Sequence, residues 1–318
     1  MSLTTADLDG SSASGGKPTV LITGASGFIG YHCVQPLLNL GYRVVGLYAT
    51  RQPEPMLGVE WVQHDLFDRA ATAKLLQGLR PRSLLHCAWY VEPGKMIESI
   101  VNLDWVQASI DLVRQFRESG GERCVITGSC YEYDWRYGYC NEELTPATAN
   151  TFYGRAKNSL REAFTGYCAA SGLSGAWGRL FFLYGPRENP RRLVSSLALS
   201  LLKGIEAPSS HGRQIRDYVH VQDAGDGLVA LLHSTATGDY NIASGRAETL
   251  RTIIETLGQI AGRSDLLRIG AMPARANDSP LVVADTTRMT AVTGWSARLE
   301  LADGLQHTLD WWRQQGQA

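Results

Sequence analysis

The sequence lacks the features that mark membrane, secreted and nucleic-acid-binding proteins. No apolar run in its 318 residues reaches the roughly 18 residues that a membrane span needs. The net charge is −1, so no basic field favours nucleic acid or an anionic membrane as a partner. Segment 1–17 is polar and rich in Gly and Ser, with no apolar stretch typical of a secretion signal, and it predicts a disordered tail. We therefore expect a cytoplasmic protein.

Cysteine is also too sparse and too scattered to form a metal site. Six cysteines occur, no two of them form a CxxC pair, and no Cys/His cluster has the spacing of zinc ligands. Several lie inside apolar runs, which favours reduced structural thiols. The sequence therefore predicts a protein without a bound metal. The cysteines are at positions 33, 87, 124, 130, 140 and 168.

Short apolar runs alternate with segments of helical periodicity along the first half of the chain. The apolar runs predict buried strands at 19–24, 43–48, 83–88 and 123–128, with a fifth inside 175–185. The periodic segments predict helices at 28–40, 69–79, 97–118 and 152–171, the first of them kinked or shortened by Pro36. This alternation predicts an α/β protein with a Rossmann-type, doubly wound parallel sheet.

The pattern loosens after Gly185, which indicates that the chain leaves the sheet. Segment 216–234 predicts a strand and a helix that return to it, and 246–318 is helix-rich. A last helix near 302–315 places Leu305, Leu309 and Trp312 on one face. We expect a dinucleotide-binding domain at 18–178, with 216–244 returning to it. A smaller substrate lobe should comprise 179–215 and 245–318.

A glycine-rich loop, TGASGFIG, follows the first predicted strand and begins the first helix. Gly24, Gly27 and Gly30 are spaced so that the turn is tight, the backbone approaches a pyrophosphate and the helix packs close to the sheet. The position after a strand and before a helix favours a dinucleotide site over an ordinary turn. The predicted cofactor contacts of the loop are these glycines with Ser26, Phe28 and Ile29.

The ends of the next strands bear on the choice of cofactor. Dinucleotide sites often carry an acid at the end of the second strand for the ribose 2′-hydroxyl. Here Arg51 lies near that end and no carboxylate does, which favours NADP, with NAD still possible. Asp65, beside Leu66, follows a strand-like VEWV and can accept from the adenine amino group. It could equally cap the helix at 69–79.

Tyr153 and Lys157 lie four residues apart in TFYGRAK and so share one face of the predicted helix. At 4 Å and an effective dielectric constant near 20, an ammonium stabilises a phenolate by about 4 kcal/mol. We therefore expect Lys157 to lower the pKa of Tyr153, so that the phenol exchanges a proton near neutral pH. Ser129 ends the strand in CVITGSCYEYD and is a further candidate hydroxyl.

Taken together, TGxxGxxG, Ser129, Tyr153 and Lys157 resemble the extended short-chain dehydrogenase/reductase family from about residue 18 to 315. The motifs RLFFLYGP, RDYVHVQD, YNIASG and the terminal TGWSARLELADGLQHTLDWW resemble members that act on nucleotide-diphospho-sugars. The resemblance implies a nicotinamide cofactor, a C-terminal lobe that holds the sugar nucleotide, and a homodimer. It gives Ser129 the task of binding the sugar oxygen beside the Tyr153 hydroxyl.

The same resemblance assigns further binding residues. Ala88 in the HCA strand end and Asn102 in the VN pair match cofactor positions. Arg216 matches the arginine that binds the substrate pyrophosphate, a role that suits a guanidinium. Phe182 replaces an asparagine that often contacts the substrate, so Trp89, Tyr90 and Tyr131 could line the sugar pocket instead. A role in the core is an equal alternative for each.

The residues after Ser129 depart from two branches of the family. The sugar dehydratases carry Thr-Asp-Glu at this point, whereas Cys130 and Tyr131 follow here and Glu132 comes one position late. The 3,5-epimerases carry a cysteine two places after the serine, where this chain has Tyr131. A step of one residue turns a side chain to another face. We therefore expect Ser129 to be catalytic and Cys130 to pack.

Three functions remain open at this point. The first is an NADPH-dependent reductase of a nucleotide-diphospho-4-keto-6-deoxyhexose, with Tyr153 as proton donor. The second is a nucleotide-sugar 4-epimerase that keeps NAD bound and uses the same residues. The third is a non-catalytic NADP-binding sensor. The missing acid at the second strand favours the reductase, and the intact Ser129, Tyr153 and Lys157 argue against the sensor.

Overall fold

A computed structural model describes residues 17–274 and 278–316. The predicted tail over 1–17 lies outside these residues, apart from Lys17. The strands are β1 (Thr19–Thr23), β2 (Arg43–Tyr48), β3 (Val59–Gln63), β4 (Ser83–His86), β5 (Arg123–Ser129), β6 (Tyr139–Cys140), β7 (Ser174–Leu180), β8 (Phe182–Tyr184), β9 (Ala207–Ser209), β10 (Ile215–Arg216), β11 (Tyr218–His220), β12 (Gly238–Ile242), β13 (Glu248–Thr249), β14 (Leu267–Ile269) and β15 (Leu281–Ala284).

Helices and short 3₁₀ turns connect these strands. The turns span Met96–Glu98, Cys130–Glu132, Trp135–Tyr137 and Ser264–Leu266. Among the described residues, no helix combines the length and the apolar character that crossing a membrane requires. The helices are α1 (Phe28–Asn39), α2 (Arg69–Leu79), α3 (Val101–Glu118), α4 (Phe152–Ser171), α5 (Leu193–Leu202), α6 (Val221–His233), α7 (Leu250–Ile260), α8 (Thr287–Thr293) and α9 (Leu301–Gln314).

The main sheet of the described residues has seven strands in the order β12-β7-β5-β4-β1-β2-β3, and the paired strands are all parallel. Alternate residues of β1 enter two separate cores, as the pleat of a strand requires. Val20 and Ile22 pack with α1 and α6, and Leu21 packs with α3 and α4. Because helices cover both faces, the predicted doubly wound Rossmann-type sheet is confirmed.

Smaller sheets and a third core lie beyond β7. β13, β10, β15 and β6 form a four-stranded sheet, β8 pairs with β11, and β9 pairs with β14. The third core joins α5, α7 and α9. Leu305, Leu309 and Trp312 of α9 are all buried in it, so the predicted apolar face of the last helix is confirmed.

The fifth strand predicted inside 175–185 is confirmed as β7, and the same segment also contains β8, which joins a different sheet. Two expectations about the elements need correction. The strand that returns to the main sheet is β12, whereas β10 and β11 of segment 216–234 pair elsewhere. The helix-rich end of the chain also contains β13, β14 and β15. These strands have two to four residues, too few to show a clear alternation in the sequence.

Pro36 does not shorten α1 as much as expected. The helix runs three residues past it to Asn39. A proline lacks the N–H that would bond four residues back, but its own carbonyl still accepts from the N–H of Leu40 at 3.1 Å. The proline is therefore accommodated in the last turn, and the predicted helix 28–40 ends one residue early.

Candidate active site

The predicted site residues gather at one edge of the main sheet. Gly24, Arg51, Asp65 and Ala88 follow the ends of β1, β2, β3 and β4, and Ser129 is the last residue of β5. These five strands are neighbours and run in parallel, so their carboxyl ends share an edge. Ligands of open α/β sheets bind at this edge, where the strand order reverses. Here the reversal lies between β1 and β4.

The glycine loop fits a dinucleotide pyrophosphate. Gly24 has φ +64°, and a Cβ there would lie 2.9 Å from the Ala88 Cα. A Cβ at Gly30 would lie 2.4 Å from the Gly24 carbonyl oxygen, so the turn of the loop admits no side chain there. In the described chain no side chain caps α1, and its first turn carries no acidic residue. The N–H groups at the start of α1 are therefore free for an anion.

The other predicted cofactor residues surround this loop. Arg51 is exposed just beyond β2, and Leu66 packs against the core beneath α2. Asp65 is exposed and accepts a hydrogen bond from the N–H of Phe67 at 2.9 Å. The helix cap is Asp68, which accepts from the N–H of Ala71. The alternative that Asp65 caps α2 is therefore wrong, because the helix begins at residue 69. Ser26 lies in the turn, and α1 begins at Phe28, followed by Ile29.

Tyr153 and Lys157 lie at the start of α4, beside Ser129. The helix begins at Phe152, where the Thr151 side chain caps it by accepting from the N–H of Gly154. The Ser129 hydroxyl lies beside the Tyr153 phenol and acts to lower its pKa, and Lys157 Nζ donates to the Thr127 carbonyl at 2.9 Å. Ser129, Tyr153 and Lys157 are 8%, 6% and 2% exposed. We call these three residues, which the sequence predicts to be catalytic, the catalytic set.

Burial controls the charges of the catalytic set. It raises the pKa of Tyr153 above its ordinary value, while the Ser129 hydrogen bond acts in the opposite direction. We predicted that Lys157 lowers the pKa of Tyr153, and this is wrong for the chain without a ligand. Burial removes water from the phenol, which disfavours the charged phenolate. Burial lowers the pKa of the Lys157 ammonium to about 7, and the Glu132 carboxylate opposes this shift.

An indole ring covers Lys157. Its Nζ lies 3.7 Å from the centre of the Trp89 ring, a cation–π contact, and the same ring meets the edge of Tyr153 at 6.4 Å. Trp89 Nε1 donates to Asn102 Oδ1 at 2.9 Å, and Asn102 Nδ2 donates to the Met96 and Ser99 carbonyls. Asn102 therefore holds Trp89 in place, and its contact with a cofactor stays a prediction.

The turn after Ser129 packs tightly against α4. A Cβ at Gly154 would lie 2.1 Å from the Tyr131 carbonyl oxygen, which explains why glycine follows the tyrosine in TFYGRAK. Cys130 is 2% exposed and belongs to a small core with Tyr133. Burial raises the pKa of the Cys130 thiol well above its ordinary value. This burial agrees with the expectation that Cys130 packs.

Glu132 lies beneath the same turn and is fully buried. Its carboxylate accepts from the Ser129 N–H at 2.7 Å and from the Trp177 indole at 3.0 Å. It also forms a salt bridge with Arg179 Nε at 2.7 Å. Sequence reasoning did not assign Trp177 or Arg179 to the site. The available signal was an arginine inside the apolar strand AWGRLFF, which requires a buried anionic partner.

A row of aromatic rings leads from Tyr153 towards Arg216. Tyr131 contacts Tyr153 at 5.8 Å and Trp135 at 4.5 Å between ring centres, and Trp135 contacts Phe182 at 5.9 Å. The Arg216 guanidinium lies 5.3 Å from the Phe182 ring and 5.8 Å from the Trp135 ring. The structure therefore brings together Tyr131, Phe182 and Arg216, although they are far apart in sequence.

Arg216 is buried and already paired. It donates to Asp278 at 2.6 Å, and Gln214 donates to the other oxygen of the same carboxylate at 3.1 Å. Sequence reasoning did not identify Asp278, since it lies 62 residues from Arg216 in a segment without a clear pattern. Binding of a pyrophosphate at Arg216 would bring a second anion to the same guanidinium.

Comparison with known proteins finds relatives that this chain matches over nearly their whole length. The chain is 27% identical over 271 residues to dTDP-6-deoxy-L-talose 4-dehydrogenase (NAD(+)) of Aggregatibacter actinomycetemcomitans, covering 83% of this chain and 98% of that protein. It is 25% identical over 320 residues to UDP-glucose 4-epimerase of Rhizobium leguminosarum bv. trifolii, covering 92% and 97%.

Solved structures share the fold. The UDP-glucose 4-epimerase of Thermotoga maritima with UDP-glucose superimposes with a TM-score of 0.82 at 21% identity, covering 93% of this chain and 99% of that one. The UDP-N-acetylglucosamine 4-epimerase of Methanobrevibacter ruminantium M1 does so with a TM-score of 0.85 at 20% identity, covering 94% and 99%. At this identity the likeness concerns the fold alone.

A family model described as "NAD dependent epimerase/dehydratase family" matches residues 20–243. The match spans the glycine loop, the catalytic set and β12. The relatives of this chain are nucleotide-sugar epimerases, dehydratases and dehydrogenases of the extended short-chain dehydrogenase/reductase type. The chain belongs to the NAD-dependent epimerase/dehydratase family.

Proposed function

We propose that this enzyme is an NAD(P)H-dependent reductase of a nucleotide-diphospho-4-keto-6-deoxyhexose. The observation that carries the proposal is the catalytic set: beside it, the Glu132 carboxylate is occupied by backbone and side-chain donors that include Arg179, and Cys130 is buried in a small core. Dehydratase or 3,5-epimerase chemistry would need one of them as an acid or base. Reduction at one carbon needs only Ser129, Tyr153 and Lys157. The talose dehydrogenase relative, named for oxidation at C4, supports a 6-deoxyhexose substrate.

Each residue of the catalytic set has a role in this reaction. A nicotinamide cofactor, held at the glycine loop, supplies the hydride to C4. Tyr153 donates its proton to O4, so that an alcohol forms in place of the ketone. Ser129, which lies beside Tyr153, orients the keto oxygen. Lys157 binds the ribose and, in its charged form, stabilises the phenolate that Tyr153 leaves.

A nucleotide-sugar 4-epimerase is the second candidate. The similarity to UDP-glucose 4-epimerases extends over 92% of this chain, more than the 83% matched by the dehydrogenase. An epimerase would use the same three residues, with Tyr153 first accepting and then returning the proton of the C4 hydroxyl. The cofactor would stay bound while the 4-keto sugar rotated in the site to present its other face.

Cofactor content and net turnover distinguish these candidates. A reductase should oxidise one NADPH or NADH for each nucleotide-4-keto-6-deoxyhexose consumed, and it should be purified largely free of cofactor. An epimerase should retain NAD and interconvert UDP-glucose and UDP-galactose without net oxidation. Retained NAD with epimerisation would overturn the reductase proposal. Binding of NADP without turnover of either substrate would favour the non-catalytic sensor.

We also propose that Arg51 favours NADP over NAD, because it is exposed near the end of β2 and residues 47–52 include no carboxylate. The dehydrogenase relative is named for NAD(+), so the selectivity needs a direct test. Arg51→Glu should weaken NADPH binding at least tenfold more than NADH binding, since a carboxylate repels the 2′-phosphate. Titration of NADPH and NADH against Arg43→Glu, at the other end of β2, provides the control. Equal losses for both cofactors would remove Arg51 as the selector.

The homodimer, the two-lobe division and the cytoplasmic location remain proposals. For the dimer, Ile100, just before α3, and Leu103 and Ile110, within its first ten residues, are 82%, 64% and 42% exposed. Their spacing places them along one side of the helix, an apolar surface that a second copy could cover. The mass of the protein in solution tests this proposal.

A further inference from the structure

Glu132 carries a full charge into the interior next to the catalytic set. Its side chain is 0% exposed, and its carboxylate is held by the Ser129 N–H, the Trp177 indole and the Arg179 guanidinium. Burial of an ion pair costs several kcal/mol per ion in desolvation, and apolar residues of similar size often serve stability as well or better. Stability alone is therefore a weak explanation for this carboxylate.

The bond to Ser129 suggests another purpose. Glu132 Oε1 accepts from the backbone N–H of Ser129 itself, and the Ser129 side chain in turn accepts from the N–H of Tyr131. The two bonds close the short turn Cys130–Glu132 on itself, as a capping box does at the start of a helix. Glu132 therefore holds the Ser129 backbone, from which the hydroxyl extends beside Tyr153.

A further bond joins Glu132 to the helix that carries the other two catalytic residues. Asn158, which follows Lys157 on α4, donates to the Glu132 carbonyl at 2.9 Å and to the Ala147 carbonyl at 2.8 Å. Glu132 thus contacts β5 through its carboxylate and α4 through its peptide group. A shift of its side chain would change the distance between Ser129 and Tyr153.

The charge of Glu132 also acts on Lys157. The titratable groups that face this ammonium are Glu132, Cys87 and His86, with Tyr153 on its own helix. Burial lowers the His86 pKa to about 3, so this imidazole is neutral at physiological pH. Among the neighbours that raise the Lys157 pKa, Glu132 contributes most, and burial is the opposing effect.

We propose that Glu132 is a positioning residue for the catalytic set. Through the Ser129 N–H it fixes the backbone that presents the hydroxyl beside Tyr153, and its charge favours the ammonium form of Lys157. The effect on turnover rests on the proposed function, whereas the effect on Lys157 can be measured without any substrate.

Titration of Lys157 by NMR tests the electrostatic part. Carbon-13 at the lysine ε position gives few signals, because the chain has only five lysines, and Lys157→Met identifies the relevant one. Glu132→Gln should lower the titration midpoint of Lys157 by about one pH unit or more, since a buried charge is weakly screened. Asp239→Asn is the matched control, because Asp239 also pairs with Arg179, at 2.9 Å, without a bond to Ser129. It should shift the midpoint far less.

Turnover tests the geometric part. Glu132→Gln should lower kcat at least tenfold with little change in KM for the nucleotide sugar, and Asp239→Asn should stay within about threefold of the wild type. Glu132→Asp keeps the charge but shortens the reach to Ser129. It should therefore preserve the Lys157 midpoint while kcat still falls. If Glu132→Gln does not fold, Glu132→Gln with Arg179→Met removes both buried charges, and the same two measurements apply.

The outcomes separate this inference from the proposed function. An unchanged Lys157 midpoint and unchanged kcat in a folded Glu132→Gln variant would overturn the inference while the function stands. If the Lys157 midpoint falls in Glu132→Gln but the wild-type protein turns over no nucleotide sugar, the role of Glu132 at Lys157 is supported and the proposed function is overturned. Equal effects of Glu132→Gln and Asp239→Asn would reduce Glu132 to a structural role and overturn the inference.

Discussion

The catalytic set and the surroundings of Arg216 are built in different ways. Ser129, Tyr153 and Lys157 lie on β5 and α4, elements of 7 and 20 residues. Arg216 lies on a strand of 2 residues, and Phe182 beside it lies on a strand of 3. The first region is supported by the main sheet. The second is supported by short strands and by the ion pair of Arg216 with Asp278, two residues that are far apart in the sequence.

Under the proposed function, this difference corresponds to a division of tasks. Proton transfer requires heavy atoms within hydrogen-bonding distance, and long elements of the main sheet hold them there. Substrate binding at Arg216 tolerates adjustment, because a guanidinium can exchange one anionic partner for another. We therefore expect substitutions in the catalytic set to lower turnover, and substitutions near Arg216 to weaken binding.

The largest expected effect is that of Tyr153→Phe. The variant keeps the ring and its packing but removes the proton donor, so hydride transfer would leave an alkoxide in a poorly solvated site. Turnover of the nucleotide sugar should fall at least about a hundredfold, with cofactor affinity nearly unchanged. Tyr167→Phe, on the same helix, is the control. Near-wild-type turnover in Tyr153→Phe would contradict both the reductase and the epimerase.

Lys157→Met should lower turnover and cofactor affinity together, yet stabilise the fold. The folded-state pKa of about 7 lies below the ordinary value of 10.5, so wild-type stability falls as the pH drops towards 7 and the buried ammonium gains its proton. The gain in the free energy of unfolding should therefore be larger near pH 6 than near pH 9. Urea unfolding at the two pH values measures it. Destabilisation at both would show that Lys157 stabilises the fold.

Arg216→Gln should separate binding from chemistry. Loss of the guanidinium should raise KM for the nucleotide sugar about tenfold or more and change kcat much less. The reason is that Arg216 lies on a different strand, apart from β5 and α4, which carry the catalytic set. Steady-state kinetics with Arg246→Gln as the control measure this, since the partly exposed Arg246–Glu300 pair contributes little. A fall in kcat with unchanged KM would break the division between the two regions.

Cys130→Ala should have the smallest effect. The thiol is buried in a small core and its pKa is raised, so it is a poor acid–base group at neutral pH. Turnover should stay within about threefold, with a modest loss of stability from the small cavity. A loss of about a thousandfold in a folded variant would be too large for packing and would restore an acid–base role for Cys130.

The sequence predicted the region of the catalytic set better than the region of Arg216. Helices 69–79 and 152–171 and strand 43–48 have the predicted bounds, because long periodic segments and an apolar run between turns leave few alternatives. The glycine loop and the Tyr153–Lys157 pair could be singled out because their spacing follows from local geometry, whereas Ser129 was assigned through the family resemblance, and the roles of all of them stay predictions.

What the sequence did not reveal depends on contacts between distant segments. The salt bridges Glu132–Arg179 and Arg216–Asp278 join residues 47 and 62 positions apart. Which sheet β8 and β11 join depends on their pairing with each other, and they are far apart in the sequence. The pattern of a three-residue strand does not specify its partner. The pKa of Tyr153 was also mispredicted, because burial cannot be derived from the spacing of Tyr and Lys.

The central claim is that the catalytic set reduces C4 of a nucleotide sugar with a hydride from a nicotinamide. The most direct test is a reaction of the protein with a nucleotide-diphospho-4-keto-6-deoxyhexose and NADPH or NADH carrying deuterium at the reactive position of the nicotinamide. We expect one deuterium at C4 of the product for each cofactor oxidised, and at least about a hundredfold slower incorporation in Tyr153→Phe. Product without deuterium at C4, or incorporation that does not depend on Tyr153, would contradict the claim.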